Sequence, residues 1–231
     1  MSNTYMNNPA DGNGAVLKGP RAAKSLLTAE DSVVALIDYQ GMMVLGVESH
    51  PLQRIFNNAI GLAKTAKLYG VPTVLTSSGA RGFAGPTFPE LTAVFPDHEV
   101  IDRTTLNPWE DGAFVEAIEA TGRRKLVVAG LWTEVCVAFP ALSALEAGYD
   151  VYVVVDACGG VDRDTHDAGL RRMVQAGAVL GSWMGIMSEW QRDWTRYADL
   201  HDGLMDLIQA HAGSFARAVS FEFGLTSSAA G

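Results

Sequence analysis

The sequence is poor in cysteine and in basic residues, and each shortage excludes a class of protein. Only two of its 231 residues are cysteines, too few for a disulfide scaffold, and they do not form a C-x-x-C zinc motif. Lysine and arginine number 17 against 26 aspartates and glutamates, so the formal net charge is 17 − 26 = −9. An acidic chain without a basic run binds nucleic acid and anionic membranes poorly. We therefore expect a small-molecule substrate, and no nucleic-acid or membrane partner.

Long apolar stretches are also missing. No run approaches the roughly 18 residues that a membrane span needs. The first residues, MSNTYMNNPADGNGAVLKG, have neither the basic nor the apolar region of a signal peptide. Hydrophobic residues make up 48% of the chain, which is typical of a globular protein. We expect a cytoplasmic protein with a loosely ordered arm over 1–25, one domain over 26–215 and a fraying tail over 216–231.

Several ligand-binding motifs are absent as well. The glycine-rich segment 79–85 (GARGFAG) is not followed by G-K-[ST], so it is not a P-loop, and the first strand–helix turn has no G-x-G-x-x-G. The five histidines include no H-x-x-x-H pair. Glu48 and His50 could form half of a metal site, although a solvated loop is the simpler interpretation. We expect no metal and no cofactor.

From about residue 32 onward, short apolar runs alternate with helical patterns. Continuous Val/Ile/Leu runs are typical of strands buried on both faces of a parallel sheet. Three helical patterns end in a glycine with a strand close behind it, as helix C-termini commonly do. The pattern predicts a doubly wound α/β fold: a mostly parallel six-stranded sheet with helices on both faces. Predicted strands are 33–37, 71–76, 99–102, 125–131, 151–155 and 178–183; predicted helices are 51–69, 109–121, 134–147 and 162–176, with more helix after 185.

Polar residues at the strand ends are the candidates for function. In doubly wound sheets, ligands bind beyond the carboxyl ends of the strands, near the point where the strand order reverses. Asp38 follows the first strand, Arg103 follows the third, and Cys136 lies five residues after the fourth ends at Leu131. We therefore expect Asp38, Arg103 and Cys136 to face the same edge.

Cys136 is the candidate nucleophile. With Thr133 as the N-cap, it would lie in the first turn of the next helix, where the helix dipole lowers the pKa of a thiol. Free backbone N–H groups at that position could hold an oxyanion. The alternative is that Cys136 is a small buried residue of the helix. Cys158, after the fifth strand, is interpreted as a packing residue or a bystander near the site.

Asp38 and Arg103 each allow two interpretations. Asp38 could take the thiol proton as a general base, or it could cap the turn that follows it. Arg103 could hold Asp38 ionised and add positive potential near the thiolate, or it could be a solvated surface residue. The five lysines lie away from the strand ends, so Arg103 is the strand-end candidate for a cation.

Together these residues resemble the isochorismatase-like cysteine hydrolase superfamily. The resemblance is carried by VVALIDYQ around Asp38, by Arg103, and by AGLWTEVCVA around Cys136 with DACGG downstream. It spans about 27–200, and the segments LTSSGARGFAGPTFPEL and SEWQRDW are similar to the YcaC-related branch. It implies a triad with Cys136 as nucleophile, Asp38 as general base, and Arg103 where the superfamily usually has lysine. Because arginine does not give up its proton, only an electrostatic role transfers to it.

The resemblance also implies features of the backbone, the assembly and the metal content. A non-proline cis peptide would join Leu131 to Trp132 and aim the N–H groups of Trp132 and Cys136 at the oxyanion. The YcaC-related branch implies a homo-oligomer, with an octamer as the example. Metal-dependent nicotinamidases of the superfamily use a D-x-H pair with further histidines, a set that this chain lacks. The candidate substrate-lining residues are Trp109, Phe83 and Thr133.

These observations lead to one principal hypothesis and two alternatives. The principal hypothesis is a metal-independent cysteine hydrolase that cleaves a small amide-like C–N bond through a thioester. The second is vinyl-ether hydrolysis in the same pocket, as isochorismatases perform it, and the third is a non-catalytic oligomeric α/β ligand-binding protein. Blocking the thiol of Cys136 separates them, because only the first requires that thiol.

Overall fold

A computed structural model describes residues 26–229 and shows a six-stranded sheet in which every strand pair is parallel. The strand order is β3-β2-β1-β4-β5-β6. Helices follow the strands, so the predicted doubly wound α/β fold is confirmed. The strands are β1 Ser32–Ile37, β2 Thr73–Ser78, β3 Val100–Arg103, β4 Lys125–Gly130, β5 Asp150–Val154 and β6 Val179–Gly181.

The helices connect successive strands and continue after the last one. Within residues 26–229, no helix is both long and apolar enough to cross a membrane. The helices are α1 Gly41–Leu45, α2 Leu52–Leu68, α3 Pro89–Thr92, α4 Gly112–Ala120, α5 Ala138–Glu146, α6 Arg163–Ala176, α7 Trp183–Gln191, α8 His201–His211 and α9 Ser214–Ala229.

The two central strands, β1 and β4, set the position of the functional edge. Every residue of β1 is buried, as expected for a strand covered on both faces. Ile37 pairs with Gly130 at the last position of both strands. A β-carbon at Gly130 would lie 2.4 Å from the carbonyl oxygen of Ile37, so only glycine permits this close approach. Asp38 and Leu131 therefore leave the sheet side by side, where the strand order reverses.

The last predicted strand, 178–183, is shorter in the structure. It ends at Gly181 because the side chain of Ser182 accepts a hydrogen bond from the backbone N–H of Gly185 and caps α7. Trp183 is consequently the first residue of a helix rather than the end of a strand.

The expected N-terminal arm and C-terminal tail compare differently with the structure. The expected arm over 1–25 lies outside the described residues. Helix α9 begins at Ser214 and runs through most of the expected tail, and Ala216 in its first turn is buried against the core. The division into arm, domain and tail stays a prediction.

Candidate active site

Asp38 is fully buried directly after β1 and adopts an unusual backbone conformation. Its φ is +56°, in the left-handed region that aspartate tolerates better than most non-glycine residues. Its backbone N–H donates to the carbonyl of Thr76 at 2.9 Å, which holds the residue against the end of β2. The chain thus turns sharply at the point where the carboxylate has to be placed.

Arg103 grips the carboxylate of Asp38 with both terminal nitrogens. The NH1 group donates to Oδ1 at 2.6 Å and the NH2 group donates to Oδ2 at 2.8 Å. Arg103 ends β3 and reaches over β2, where NH1 also contacts Thr76 Oγ1 at 3.3 Å. Both charged side chains are completely buried. The alternative that Arg103 is a solvated surface residue is therefore wrong. The Asp38 carboxylate is one partner of a buried ion pair.

Cys136 lies in a π-helical turn, Thr133–Val137, that precedes α5. The expected cap is wrong: Trp132 occupies the N-cap position, and no side chain caps the turn. The hydroxyl of Thr133 instead lies 2.8 Å from Nδ1 of His166. Thr133 is also fully buried, and its role as a substrate-lining residue stays a prediction.

The thiol of Cys136 is neutral at rest, contrary to the expectation of a lowered pKa. Burial, the negative charge of Asp38 and a hydrogen bond to its carboxylate together raise the pKa of Cys136 to about 12. The charge of Arg103 and the backbone N–H of Trp132 act in the opposite direction without prevailing. The expectation failed because it counted a helix terminus but not desolvation, and Cys136 is only 2% exposed.

Trp132 is held firmly beside the sulfur. Its peptide bond to Leu131 is cis, and its indole Nε1–H donates to the carbonyl of Met43 at 2.8 Å. A β-carbon at Gly46 would lie 2.7 Å from Cζ2 of the indole, so this ring packs directly on glycine backbone. The backbone N–H of Trp132 bonds the sulfur of Cys136. The roles of the Trp132 and Cys136 N–H groups as an oxyanion hole stay predictions.

Trp109 and Phe83 are not drawn into this cluster. The ring of Trp109 packs edge-on against Phe114 and Tyr149, with centroids 6.2 and 5.3 Å away. Tyr149 comes directly before β5, so Trp109 lies toward the edge where strands begin, opposite to Cys136. Phe83 is 73% exposed in the segment between β2 and α3, and its role as a substrate-lining residue stays a prediction.

Among the residues that the structure describes, neither the other thiol nor the suggested half metal site shows a hydrogen bond or ion pair with the triad. Cys158 is fully buried, and this burial raises its pKa to about 12, as expected of a packing residue. Nδ1 of His50 lies 3.0 Å from the hydroxyl of Ser49. The backbone N–H of Glu48 donates to the carbonyl oxygens of Gly160 and Val161. In the described part of the chain, no group of three or more His, Cys, Asp or Glu side chains could hold a metal ion.

Sequence reasoning missed two buried polar residues near the site. Gln40 follows Asp38 by two positions, accepts from the backbone N–H of Ser78 at 2.9 Å and donates to the carbonyl of Gly85 at 2.5 Å. It thereby fixes the segment after β2 over the strand ends. His166 is one of five histidines scattered along the sequence. Its partner Thr133 lies 33 residues away, so no local sequence pattern reveals their contact.

Comparison with known proteins yields a consistent set of relatives. An isochorismatase domain model matches residues 32–184. The chain is 42% identical over 186 residues to the probable hydrolase YcaC of Escherichia coli, covering 80% of this chain and 88% of that protein. It is 30% identical over 161 residues to isochorismatase domain-containing protein 2 of Xenopus laevis, covering 70% of this chain and 76% of that protein.

Solved structures agree with the sequence relatives. YcaC from Pseudomonas aeruginosa, solved with hexane-2,5-diol and covalent acrylamide, superposes with a TM-score of 0.82 at 36% identity, covering 87% of this chain and 98% of that one. The YcaC gene product of Escherichia coli, described as an octameric hydrolase of unknown specificity, gives 0.83 at 39% identity, covering 88% and 98%.

The buried thiols predict that the protein loses stability at alkaline pH. Because the folded pKa of Cys136 and Cys158 is raised to about 12, an unfolded chain releases thiol protons that the folded chain keeps. The stabilisation is complete below about pH 8.5, the usual thiol pKa, and is lost as pH rises toward 12. Urea unfolding midpoints measured across this range should fall steadily, and Cys158→Ala should flatten the decline. A midpoint that stays constant across the range would contradict the assignment.

Proposed function

The chain belongs to the isochorismatase domain family, and from that premise we propose that it is a metal-independent cysteine hydrolase that cleaves a small amide-like C–N bond. The observation that carries the proposal is one buried chain of contacts. The thiol of Cys136 donates to the Asp38 carboxylate, which Arg103 holds from the other side. A nucleophile, a base and a fixed positive charge thus share one edge of the sheet.

In the first half of the reaction, Asp38 accepts the thiol proton while the sulfur of Cys136 attacks the substrate carbonyl carbon. An S–C bond forms, and the carbonyl electron pair moves onto oxygen. In this proposal the N–H groups of Trp132 and Cys136 bind that oxyanion. When the oxyanion collapses, the C–N bond breaks, the nitrogen takes the proton from Asp38, and the amine leaves.

The second half restores the enzyme. Asp38 takes a proton from water as the water oxygen attacks the thioester carbonyl. Collapse breaks the C–S bond, releases the carboxylic acid, and returns the proton from Asp38 to the sulfur. Both halves use Asp38 as the base, with the Cys136 sulfur as nucleophile in the first and water in the second, so the proton balance closes without a metal or cofactor.

The raised pKa of Cys136 shapes this mechanism. A thiol whose pKa is about 12 is almost wholly protonated at neutral pH, so the enzyme does not store a thiolate. Proton transfer to Asp38 therefore accompanies substrate attack, and the base must lie in hydrogen-bond contact before the substrate arrives. The hydrogen bond between Cys136 and Asp38 supplies that contact.

Arg103 supplies charge and geometry rather than a proton. A guanidinium stays charged throughout the reaction, and its two parallel N–H bonds fix the plane of the Asp38 carboxylate. As Asp38 gains a proton, the positive charge of Arg103 becomes available to the developing charge on sulfur. This is the electrostatic part of the role that lysine usually has in the superfamily.

A relative supports a nucleophile that a small neutral amide can reach. The Pseudomonas aeruginosa protein was solved with covalent acrylamide, which is a small neutral amide and an electrophile toward thiols. A neutral amide suits the present site as well, since Asp38 and Arg103 neutralise each other and Cys136 is almost fully buried. We therefore favour small uncharged amides over acidic or basic substrates.

We also propose that the chain assembles as a homo-oligomer, by analogy with the octameric Escherichia coli relative. Three large apolar side chains close to the strand ends are strongly exposed: Leu45 at 74%, Phe83 at 73% and Leu106 at 63%. Light scattering on the full chain should give a multiple of the 24.6 kDa chain mass, with eight copies expected. A monomeric mass at all concentrations would refute the assembly.

The decisive test of the hydrolase proposal is an acyl-enzyme trap. The protein is incubated with a panel of small amides and quenched in acid, and the labelled peptide is identified by mass spectrometry. The acyl group should reside on Cys136, and Cys136→Ser should lower turnover roughly 1000-fold or more. Activity should survive EDTA.

Cys158→Ala is the matched control, because Cys158 is equally buried but has no contact with Asp38 or Arg103 that the structure shows. It should keep the acyl-enzyme and most of the activity. Label on Cys158, or turnover that persists when Cys136 is removed, would favour vinyl-ether hydrolysis or another reaction without the thiol. Binding without any turnover would favour the non-catalytic alternative.

Substitution of Arg103 tests its electrostatic role. Arg103→Ala leaves the Asp38 charge buried and unpaired, so we expect a loss of roughly 3–5 kcal/mol in the free energy of unfolding. The pKa of Cys136 should rise further, since Arg103 lowers it in the intact site. Arg103→Lys keeps the charge but loses the fork, so much of the activity should remain. If lysine is as inactive as alanine in a folded protein, the fork geometry matters more than the charge.

A further inference from the structure

His166 in α6 is a buried titratable side chain to which the proposed reaction gives no role. It is 3% exposed, and its Nδ1 lies 2.8 Å from Oγ1 of Thr133, the first residue of the turn that carries Cys136. Its ring also meets the ring of His50 edge-on, with centroids 4.8 Å apart. The imidazole is thus fixed by contacts on two sides and points a ring nitrogen at the nucleophile turn.

Helix α6 packs on this turn at backbone distance. A β-carbon at Gly169 would lie 2.8 Å from the Cα atom of Glu134, and one at Gly160 would lie 2.6 Å from Oε2 of Glu134. Oε1 of Glu134 in turn accepts from the backbone N–H of Val161 at 3.0 Å. With so little space between the helix and the turn, a change at the His166 contact is transmitted to the turn.

Two of the polar groups of Thr133 are anchored to α6 and to the segment that leads into it. Its backbone N–H donates to the carbonyl of Gly159 at 2.9 Å, and its hydroxyl contacts His166. The preceding residue is Trp132, whose backbone N–H bonds the sulfur of Cys136. Because Thr133 is covalently joined to Trp132, anchoring Thr133 restricts movement of the Trp132 backbone and of its N–H group.

We propose that His166 is a positioning residue for the reaction: by holding Thr133 from α6, it keeps the Trp132 N–H on the sulfur of Cys136. This inference rests on the proposed function of Cys136. On the other side of the nucleophile turn, the indole of Trp132 is held by the carbonyl of Met43 and packs on Gly46. The nucleophile turn is clamped from two independent elements.

The charges around His166 are consistent with a neutral ring in this role. Burial, followed by the proximity of His50, lowers the pKa of His166 to about 4, Arg163 acts in the same direction, and Asp167 opposes them. The neutral ring keeps one nitrogen as an acceptor and one as a donor, so a contact with the Thr133 hydroxyl is available at neutral pH.

Two substitutions of similar size separate positioning from packing. His166→Asn places its amide near the original Nδ1 and can still reach Thr133, whereas His166→Gln places its amide near the original Nε2. The readout is the alkylation rate of Cys136 in the full chain by iodoacetamide as a function of pH, followed by peptide mapping, with Cys158 as the internal reference.

We expect the Asn variant to retain most of the alkylation rate and the pH profile. In the Gln variant, loss of the Trp132 N–H should move the profile to higher pH and slow alkylation about tenfold for each unit of displacement. Urea unfolding of both variants reports any general loss of packing. If Gln and Asn behave alike, or if stability falls while the profile stays in place, His166 has only a structural role.

The other end of the contact gives an independent check. Thr133→Ser keeps the hydroxyl and should resemble the wild type, whereas Thr133→Val should reproduce the His166→Gln profile. Combining Thr133→Val with His166→Gln should add little to either change alone, because both remove one contact. An additive double variant would refute a shared function.

A crystal structure of His166→Gln measures the separation between the Trp132 nitrogen and the Cys136 sulfur directly. A lengthened separation supports the inference, and an unchanged one overturns it, whatever the reactivity of the thiol. Failure of the proposed function is distinct: wild-type Cys136 would then form no acyl-enzyme, while the geometry and its response to the variants could still be observed.

Discussion

The buried pair between Asp38 and Arg103 is the interaction on which the rest of the site depends. Two full charges lie without solvent, and removing charges from water costs several kcal/mol for each ion. The two short bonds of the fork offset that cost only while β1, β2 and β3 keep their register. The left-handed conformation of Asp38 and the contact of Arg103 with Thr76 belong to the same arrangement. Loss of either charge would leave its partner buried and alone.

The ion pair also decides the chemistry available to Cys136. Asp38 repels a thiolate and accepts the hydrogen bond of the thiol, while Arg103 only partly compensates. The thiol is therefore protonated at neutral pH, and in the proposed reaction the charge on sulfur develops only as the substrate is attacked. The thiolate is the reactive form of cysteine, so the resting thiol is less reactive than a thiolate in the same place would be.

Rigidity around the nucleophile complements this electrostatic arrangement. Trp132 is fixed through its ring by α1 and Gly46, and Thr133 is fixed through its backbone and hydroxyl by the segment that enters α6. Two neighbouring residues are therefore held by different parts of the chain. Oxyanion donors are effective when they are placed before the charge develops, so this double attachment suits the role that we propose for the Trp132 and Cys136 N–H groups.

The sequence alone determined the sheet, its layers and the three strand-end residues, because apolar runs, helix periodicity and glycine termini are local signals. Buried strands without alternation specify a parallel sheet, and parallel strands bring Asp38 and Arg103 to one edge wherever their neighbours lie. Only the tertiary structure decided the protonation of Cys136, the pairing of Thr133 with His166 and the place of Trp109. A pKa depends on solvent exclusion and on charges a few ångströms away, and both are set by segments that are distant along the chain. The packing of the Trp109 ring depends on the path of the loop that carries it, and no local sequence pattern predicts that path.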